Sequence, residues 1–196
     1  MEIDYQFGLL EQGYDTYTYE YGPNGVPVQR DTYRVTQERT RLTATETFDS
    51  AGRVTARQVY NEAGKRIFEY AYDDLGNETL YVSYDDTGRM SSKLETTYDA
   101  DGQRLTEQYT AANGTKYSYE YNNAHDVTKT TVGSLTATTS YNKSGNTTGA
   151  RLVGKDSNGN ASLALQSSAT PTADRNHTSS VTDANGSTTS YTYNGQ

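Results

Sequence analysis

The chain has 196 residues, no cysteine and a formal net charge of −8. The absence of cysteine excludes disulfides and thiolate-ligated zinc sites. The acidic charge disfavours nucleic acid and anionic membrane surfaces as partners, because phosphate binding needs a basic surface. No apolar run is long enough to cross a bilayer as a helix, so no membrane insertion is predicted.

The composition alone would favour disorder, since only 32% of residues are hydrophobic. The 19 tyrosines argue for a folded protein, because their rings can be buried while their hydroxyls stay hydrated. The acidic N-terminal stretch MEIDYQFGLLEQGYD lacks the basic and apolar regions of a secretion signal, so none is predicted in this chain.

A five-residue phrase, aromatic-Asp/Asn-x-x-Gly, recurs along the chain. In chain order it reads FDSAG (48–52), YNEAG (60–64), YDDLG (72–76), YDDTG (84–88), YDADG (98–102) and YNKSG (141–145). Looser copies are YGPNG (21–25), TAANG (110–114), YNNAH (121–125), KDSNG (155–159) and TDANG (182–186). The first four glycines are twelve residues apart, which indicates an internal repeat.

Each phrase predicts a tight turn. An Asp or Asn at the first turn position can bond the backbone two residues on, and the Gly accepts the left-handed conformation that closes a type I turn with a bulge. The predicted turn residues are Asp49, Gly52, Asn61, Gly64, Asp73, Gly76, Asp85, Gly88, Asp99, Gly102, Asn142, Gly145, Asp183 and Gly186.

The residues between the turns alternate with a period of two, as in Phe68, Tyr70 and Tyr72, which is typical of strands. A twelve-residue repeat therefore holds one strand of about eight residues and one four-residue turn. We predict an all-β protein of antiparallel β-hairpin or meander repeats that form a curled or spiralling sheet, with almost no helix.

The repeats predict one continuous block over residues 1–196. Residues 1–132 are rich in tyrosine and acidic, with a net charge of −9, whereas residues 133–196 are rich in Ser, Thr and Asn and less regular, with a net charge of +1. The intervals 125–145 and 145–186 break the period, and we expect longer strands or loops there.

Three stretches, YAYDDLGNE (70–78), TTSYNKSGNTT (138–148) and SVTDANGSTTSYTYNGQ (180–196), resemble the YD repeats of the Rhs family. That family's phrase is approximately Tyr-x-Tyr-Asp-x-x-Gly-Asn, and the resemblance covers most of the chain. The Rhs family includes Rhs polymorphic toxins, cocoon components of Tc toxins, bacterial wall-associated proteins and teneurins. The resemblance implies a spiralling hairpin sheet that can close into a hollow shell.

The resemblance also implies a function: a structural scaffold or encapsulating wall in a larger secreted or cell-surface protein. Its expected partners are flanking repeats of the parent protein, and an encapsulated toxin domain or a surface glycan or protein. The chain lacks the Asp-Pro-x-Gly of the family's self-cleaving site, and it stops within a phrase at YNGQ, so we expect a fragment. The alternative is an adhesin module that binds glycan or protein through an exposed aromatic face.

No residue pattern predicts an enzyme, a cofactor or a metal. The paired acids Asp73–Asp74 sit in a turn, where neighbouring side chains diverge, and nothing in the sequence brings His125 and His177 together. The stretches DADGQ (99–103) and DSNGN (156–160) begin like calcium loops but lack the rest of that motif.

The tyrosines can form the core or can line an exposed face that contacts a ligand. Tyr81 and Tyr84 have opposite strand parity, so one of them is expected to point outward. Tyr81 is the single candidate that we select for an exposed ligand-contacting ring.

Overall fold

The computed structural model describes residues 13–172, 177–183 and 185–193, which form strands and turns without helix. In these ranges there is consequently no helix that is long and apolar enough to cross a membrane. The chain divides into two compact units, a first unit over Met1–Leu94 and a second unit over Glu95–Gln196. The continuous repeat block over residues 1–196, with its change of composition after residue 132, stays a prediction.

Six strands lie in the described part of the first unit, and the residue range of a seventh includes the boundary at residue 94. They are β1 (Tyr14–Tyr21), β2 (Pro27–Val35), β3 (Thr40–Phe48), β4 (Val54–Tyr60), β5 (Arg66–Tyr72), β6 (Glu78–Tyr84) and β7 (Met90–Tyr98). The remaining eight strands of the described residues lie in the second unit. They are β8 (Arg104–Ala111), β9 (Lys116–Tyr121), β10 (Val127–Val132), β11 (Leu135–Tyr141), β12 (Thr147–Lys155), β13 (Ala161–Pro171), β14 (Thr178–Thr182) and β15 (Thr188–Ser190).

Strands pair with their neighbours in sequence, and every pairing is antiparallel. This holds from β1 to β6 in the first unit and from β8 to β15 in the second. The predicted fold class, an all-β antiparallel meander of hairpin repeats, is confirmed.

The turns share one geometry, for which residues 49–53 are an example. The Gly52 amide donates to the Asp49 carbonyl at 3.0 Å, and the Asp49 amide donates to the Arg53 carbonyl at 3.0 Å. Gly52 has φ of 79°, a left-handed conformation that costs glycine little. The register shifts by one residue beside this turn, between Thr47 and Phe48, as a bulged type I hairpin requires.

The interval that breaks the twelve-residue period contains an additional, tighter hairpin. Val132 pairs directly with Leu135, so Gly133 and Ser134 form a two-residue turn between β10 and β11. Gly133 has φ of 57°, consistent with the positive φ that such turns need. Further on, β13 extends to eleven residues. The irregularity predicted for this region is therefore a short turn followed by longer strands.

The described part of the chain has very little core. Ala44 and Val82 are its only buried hydrophobic side chains, each 6% exposed, and no large side chain is fully buried. Stability therefore depends on pairs of side chains that face each other across neighbouring strands, because such pairs are the unit of stabilisation in a sheet.

Candidate functional site

A row of six side chains crosses the first unit on one face of its strands. Each member stands directly opposite the next on the neighbouring strand, and we call this row the ladder. From β1 to β6 its members are Tyr19, Arg30, Glu46, Arg57, Tyr70 and Tyr81. Two aromatic ends thus flank a charged centre.

The centre of the ladder is a nearly buried carboxylate between two guanidinium groups. Glu46 is 8% exposed. Arg30 donates from Nε to its Oε2 at 2.8 Å, and Arg57 Nε lies 3.8 Å from its Oε1. A hydrogen bond with Tyr19, followed by the contact with Glu46, raises the pKa of Arg30. The carboxylate of Glu46 therefore has two cationic partners. Without them, the burial of its charge would be costly.

Aromatic rings cover both ends of this charged centre. The Arg30 guanidinium lies 5.5 Å from the Tyr17 ring centroid and 6.0 Å from that of Phe48, within the range of cation–π contacts. Tyr70 and Tyr81 face each other across β5 and β6, with ring centroids 5.5 Å apart. Burial, as the largest cause, raises the pKa of Tyr70.

Tyr81 is half-buried in the structure. Its ring stacks on Phe68, with centroids 5.9 Å apart, in addition to the contact with Tyr70. Its neighbour Val82 is buried on the opposite face of β6. Among the described residues of the first unit, the exposed tyrosines lie instead on β1, and they are Tyr14, Tyr17, Tyr19 and Tyr21.

An open cleft of about 380 Å³ lies beside the ladder in the first unit. Its lining includes the ladder's Glu46 and Arg57 together with Arg53, Tyr72 and Leu75. A similar cleft of about 320 Å³ in the second unit is lined by Tyr98, Gly102, Gln103, Arg104, Tyr121 and His125. The first cleft carries both signs of charge, and its acid and guanidinium groups are already engaged with one another.

A three-residue arrangement of Arg, Glu and Tyr is found in the described part of each unit, and we call it the tyrosine brace. In the first unit the Tyr84 hydroxyl donates to Glu69 Oε2 at 2.7 Å, and Arg66 binds the same carboxylate at 3.0 Å. The Arg66 guanidinium also lies 4.6 Å from the Tyr84 ring centroid.

The second unit repeats the brace with Arg104, Glu107 and Tyr121. The Tyr121 hydroxyl donates to Glu107, and Arg104 Nη1 lies 2.9 Å from that carboxylate. Burial, followed by the bond to the carboxylate, raises the pKa of both Tyr84 and Tyr121. The tyrosine that opens the YD phrase thus ties its strand end to the strand before it.

Basic side chains connect alternate turns of the first unit. Arg53 follows a turn glycine and donates from Nη1 to the Asp74 carbonyl at 2.5 Å, and Lys65 reaches the Asp86 carbonyl in the same way at 2.5 Å. Arg39 donates to the Glu62 carbonyl at 3.4 Å. We call these contacts turn clamps, since each joins a turn to the second turn after it.

The predicted turn acids and amides accept backbone hydrogen bonds at separate turns. Asp73 Oδ1 accepts the amides of Leu75 and Asn77, each at 2.9 Å. Hydrogen bonding lowers the pKa of three of these acids: the Arg53 amide is the largest cause at Asp49, the Asn77 side chain at Asp73 and the Thr87 hydroxyl at Asp85. These residues lie in separate turns at the ends of successive strands and are not brought into one site.

The histidines and the calcium-like stretches also serve turns and strand ends. His125 takes the glycine position of its turn with φ of 65°, the only non-glycine positive φ in the described residues. His177 packs on Tyr193, with ring centroids 4.5 Å apart. Asp99 and Asp156 each accept two backbone amides of their own turns. Within the described ranges no three acidic or histidine side chains could hold a metal ion.

The ladder, the braces and the clamps were not predicted from the sequence, although a signal for the ladder was present. Turn type fixes hairpin register, so mirroring each strand about its bulged turn would have placed Tyr70 opposite Tyr81. The clamps have a weaker signal, a basic residue directly after the turn glycine, which occurs at Arg53, Lys65 and Arg89.

Comparison with known proteins gives one family match and several remote structural neighbours. The RHS Repeat family model matches residues 98–139. No curated protein matches the chain. A Tc holotoxin pore from Photorhabdus luminescens is similar at 12% identity and a TM-score of 0.36, over 92% of this chain and 12% of that chain.

Two further solved structures have similar scores. TcdB2-TccC3 without its hypervariable C-terminal region has 12% identity and a TM-score of 0.32, over 83% of this chain and 11% of that one. A porin-like protein from Bacteroides uniformis has 13% identity and a TM-score of 0.31, over 93% and 90%. The chain thus spans about a tenth of the length of the Tc proteins.

The family match falls on the segment from the end of β7 to β11, which contains the second tyrosine brace. The resemblance to YD repeats that was inferred from the sequence is therefore confirmed, and residues 98–139 match the RHS Repeat family.

Proposed function

We propose that this chain is a structural segment of a larger secreted or cell-surface YD-repeat protein, in which it forms part of a β-sheet wall. The observation that carries the proposal is the strand pairing, in which each strand joins its sequence neighbours through turns of one design. Such a sheet grows by adding repeats, and each repeat contacts near neighbours in sequence, the next strand through pairing and the second turn through the clamps.

The polar groups support the same role. Glu46 binds Arg30, Glu69 binds Tyr84, and Arg53 binds the Asp74 carbonyl, so each holds a strand or a turn in place. A structural role requires no catalytic step from the chain. By the resemblance to Rhs proteins, the finer proposal is that the wall encloses a toxin domain of the same parent protein and contacts flanking repeats.

The first experiment is a thermal melt of the 196-residue chain by far-UV circular dichroism, with its mass measured by light scattering. We expect β-sheet signal and association that increases with concentration, because open strand edges pair readily. A sharp melt of a strict monomer would contradict the proposal that this segment is part of a continuing wall.

A second candidate, an adhesion module, is favoured by the exposed tyrosines of β1. Tyr17, Tyr19 and Tyr21 share one face of β1 and are 50%, 44% and 62% exposed, and contiguous exposed aromatic surface is typical of binding sites. Glycan and extracellular-protein arrays separate the candidates. Saturable binding that is lost in Tyr21→Ala or Tyr81→Ala, with the circular dichroism spectrum retained, would favour the adhesion module over the structural wall.

A further inference from the structure

The composition of the chain directs one-electron oxidation to tyrosine. Cysteine and tryptophan, the other side chains that give up an electron readily, are both absent, whereas tyrosine occurs 19 times. An electron hole formed anywhere on this protein is therefore expected to reach a tyrosine ring. The products then depend on which tyrosine has a second tyrosine beside it.

One cross-strand tyrosine pair is both close and accessible. Tyr109 on β8 stands directly opposite Tyr117 on β9, and their ring centroids are 5.9 Å apart with an interplanar angle of 47°. This distance is within the range of contacting aromatic pairs, so their ortho carbons can meet by side-chain rotation. Tyr109 is 38% exposed, so an oxidant can reach its ring and water can accept its phenolic proton.

Two other tyrosine pairs have comparable distances but a different environment. Tyr70 and Tyr81 are half-buried, and Phe68 lies against both rings, at 6.4 Å from Tyr70 and 5.9 Å from Tyr81. Tyr19 and Tyr21 lie 6.2 Å apart on the same strand, so a bond between them would not join two strands.

We propose that Tyr109 and Tyr117 form an oxidative cross-linking site, which joins β8 and β9 through a dityrosine bond. Each phenol loses one electron and one proton, and the two tyrosyl radicals form a carbon–carbon bond between their ortho positions. The two ring hydrogens then move to the oxygens and restore both phenols. Two hydrogens leave the protein in total, and a haem peroxidase uses them to reduce one hydrogen peroxide to two waters.

The site supplies a covalent strand-to-strand link in a protein that has no cysteine for disulfides. The inference is independent of the proposed wall function, since it depends only on the pair and its exposure.

The test exposes the full chain to a haem peroxidase and hydrogen peroxide, at several protein concentrations. We expect dityrosine fluorescence in the monomer, a mass lower by two hydrogens, and a peptide that joins residues 109 and 117. Because the link is intramolecular, its yield per monomer should not change on dilution. Tyr109→Phe should abolish the monomer signal, and it keeps the ring, so circular dichroism should be unchanged.

Tyr81→Phe and Tyr19→Phe are the matched controls, since each removes one hydroxyl from another pair and should leave the monomer signal intact. The proposal would be overturned if the linked peptide contains 70 with 81 or 19 with 21. It would also be overturned if the signal survives Tyr109→Phe, or if no dityrosine forms under conditions that couple free tyrosine.

Discussion

The two units use the same turn but differ in what surrounds it. In the first unit the residues after the turn glycines are Val26, Arg53, Lys65, Asn77 and Arg89. Of these, Arg53 and Lys65 each clamp a second turn. In the second unit the corresponding residues are Gln103, Thr115, Asp126, Asn146, Asn160 and Ser187, which carry no cation. The turn geometry persists without clamps, so a local acceptor and a residue with positive φ are sufficient to form it.

The cross-strand rows differ in the same way. The second unit also has a row in which each residue stands directly opposite the next on the neighbouring strand. From β8 to β13 its members are Thr106, Glu120, Lys129, Thr138, Arg151 and Gln166. Its acid Glu120 has a side chain that is 49% exposed, against 11% for Glu46 in the ladder. Register alone therefore does not bury a charge. Glu46 stands between two guanidinium groups, and that of Arg30 packs against Tyr17 and Phe48, whereas Glu120 binds Lys129.

The largest expected effect tests this contrast directly. Glu46→Ala should reduce the free energy of unfolding by about 2 kcal/mol, because it removes charged hydrogen bonds and leaves two guanidinium groups without their acid. Glu120→Ala breaks an exposed pair with Lys129 and should cost less than about 1 kcal/mol. Urea unfolding of both variants measures the difference, and equal losses would contradict the burial argument.

A turn in each unit offers the next test. His125→Gly should raise the free energy of unfolding by about 1 kcal/mol, because glycine adopts the left-handed conformation without the cost that a side chain incurs. Gly76→Ala should lower it by a similar amount, about 1 kcal/mol, through the backbone alone, since a Cβ there would meet no atom within 4 Å. Paired urea melts should give opposite signs, and a destabilised His125→Gly would indicate that the imidazole makes a needed contact.

The acid side of the pH profile should depend on the turn carboxylates of the first unit. The pKa of Asp73 is lowered in the fold, so its carboxylate stabilises the protein above the ordinary value of 3.8. That contribution is lost as the pH falls through the lowered pKa. Asp73→Asn should be less stable than the unchanged protein at neutral pH and equally stable in strong acid. A constant difference across the pH range would show that no titration at Asp73 is involved.

On the alkaline side the two braces should act alike. The pKa values of Tyr84 and Tyr121 are raised, so the neutral phenols contribute stability that is complete below 10.0 and lost as the pH rises through the raised values. Tyr84→Phe and Tyr121→Phe should each reduce the loss of stability at alkaline pH, which circular dichroism measures during unfolding. A profile that is unchanged in both variants would contradict the role of the braces.

The smallest effect is expected from exchanging the clamps. Arg53→Gln should remove the bond to the Asp74 carbonyl, and Gln103→Arg should create the equivalent bond to the carbonyl of Asn123. Arg53 is exposed and Gln103 is half-buried, and a clamp near the surface contributes little, so we expect small changes of opposite sign in stability. Hydrogen exchange of the turn amides is the sensitive measurement, with slower exchange expected at residues 122–126 in Gln103→Arg. Unchanged exchange in both variants would show that the clamps do not restrain the turns.

The sequence supported predictions of local structure better than predictions of long-range placement. The class and the meander followed from the spacing of the glycines and the alternation of residues such as Phe68 and Tyr70. The two-residue turn at Gly133 was missed because it lacks the YD phrase, and Tyr81 could not be placed from strand parity alone. Tyr81 packs on Phe68 and Tyr70 across a bulged hairpin. The register of β5 and β6 must therefore be known before the environment of Tyr81 can be predicted.

Pairing between sequence neighbours has a kinetic consequence. Each hairpin closes a loop of only a few residues, as between Val132 and Leu135, so the contact order within each unit is low for a β protein. Loop closure this short costs little entropy, and folding can begin at any hairpin and spread strand by strand. A nascent chain of this kind could fold each repeat as it emerges from the ribosome, without waiting for a distant partner strand.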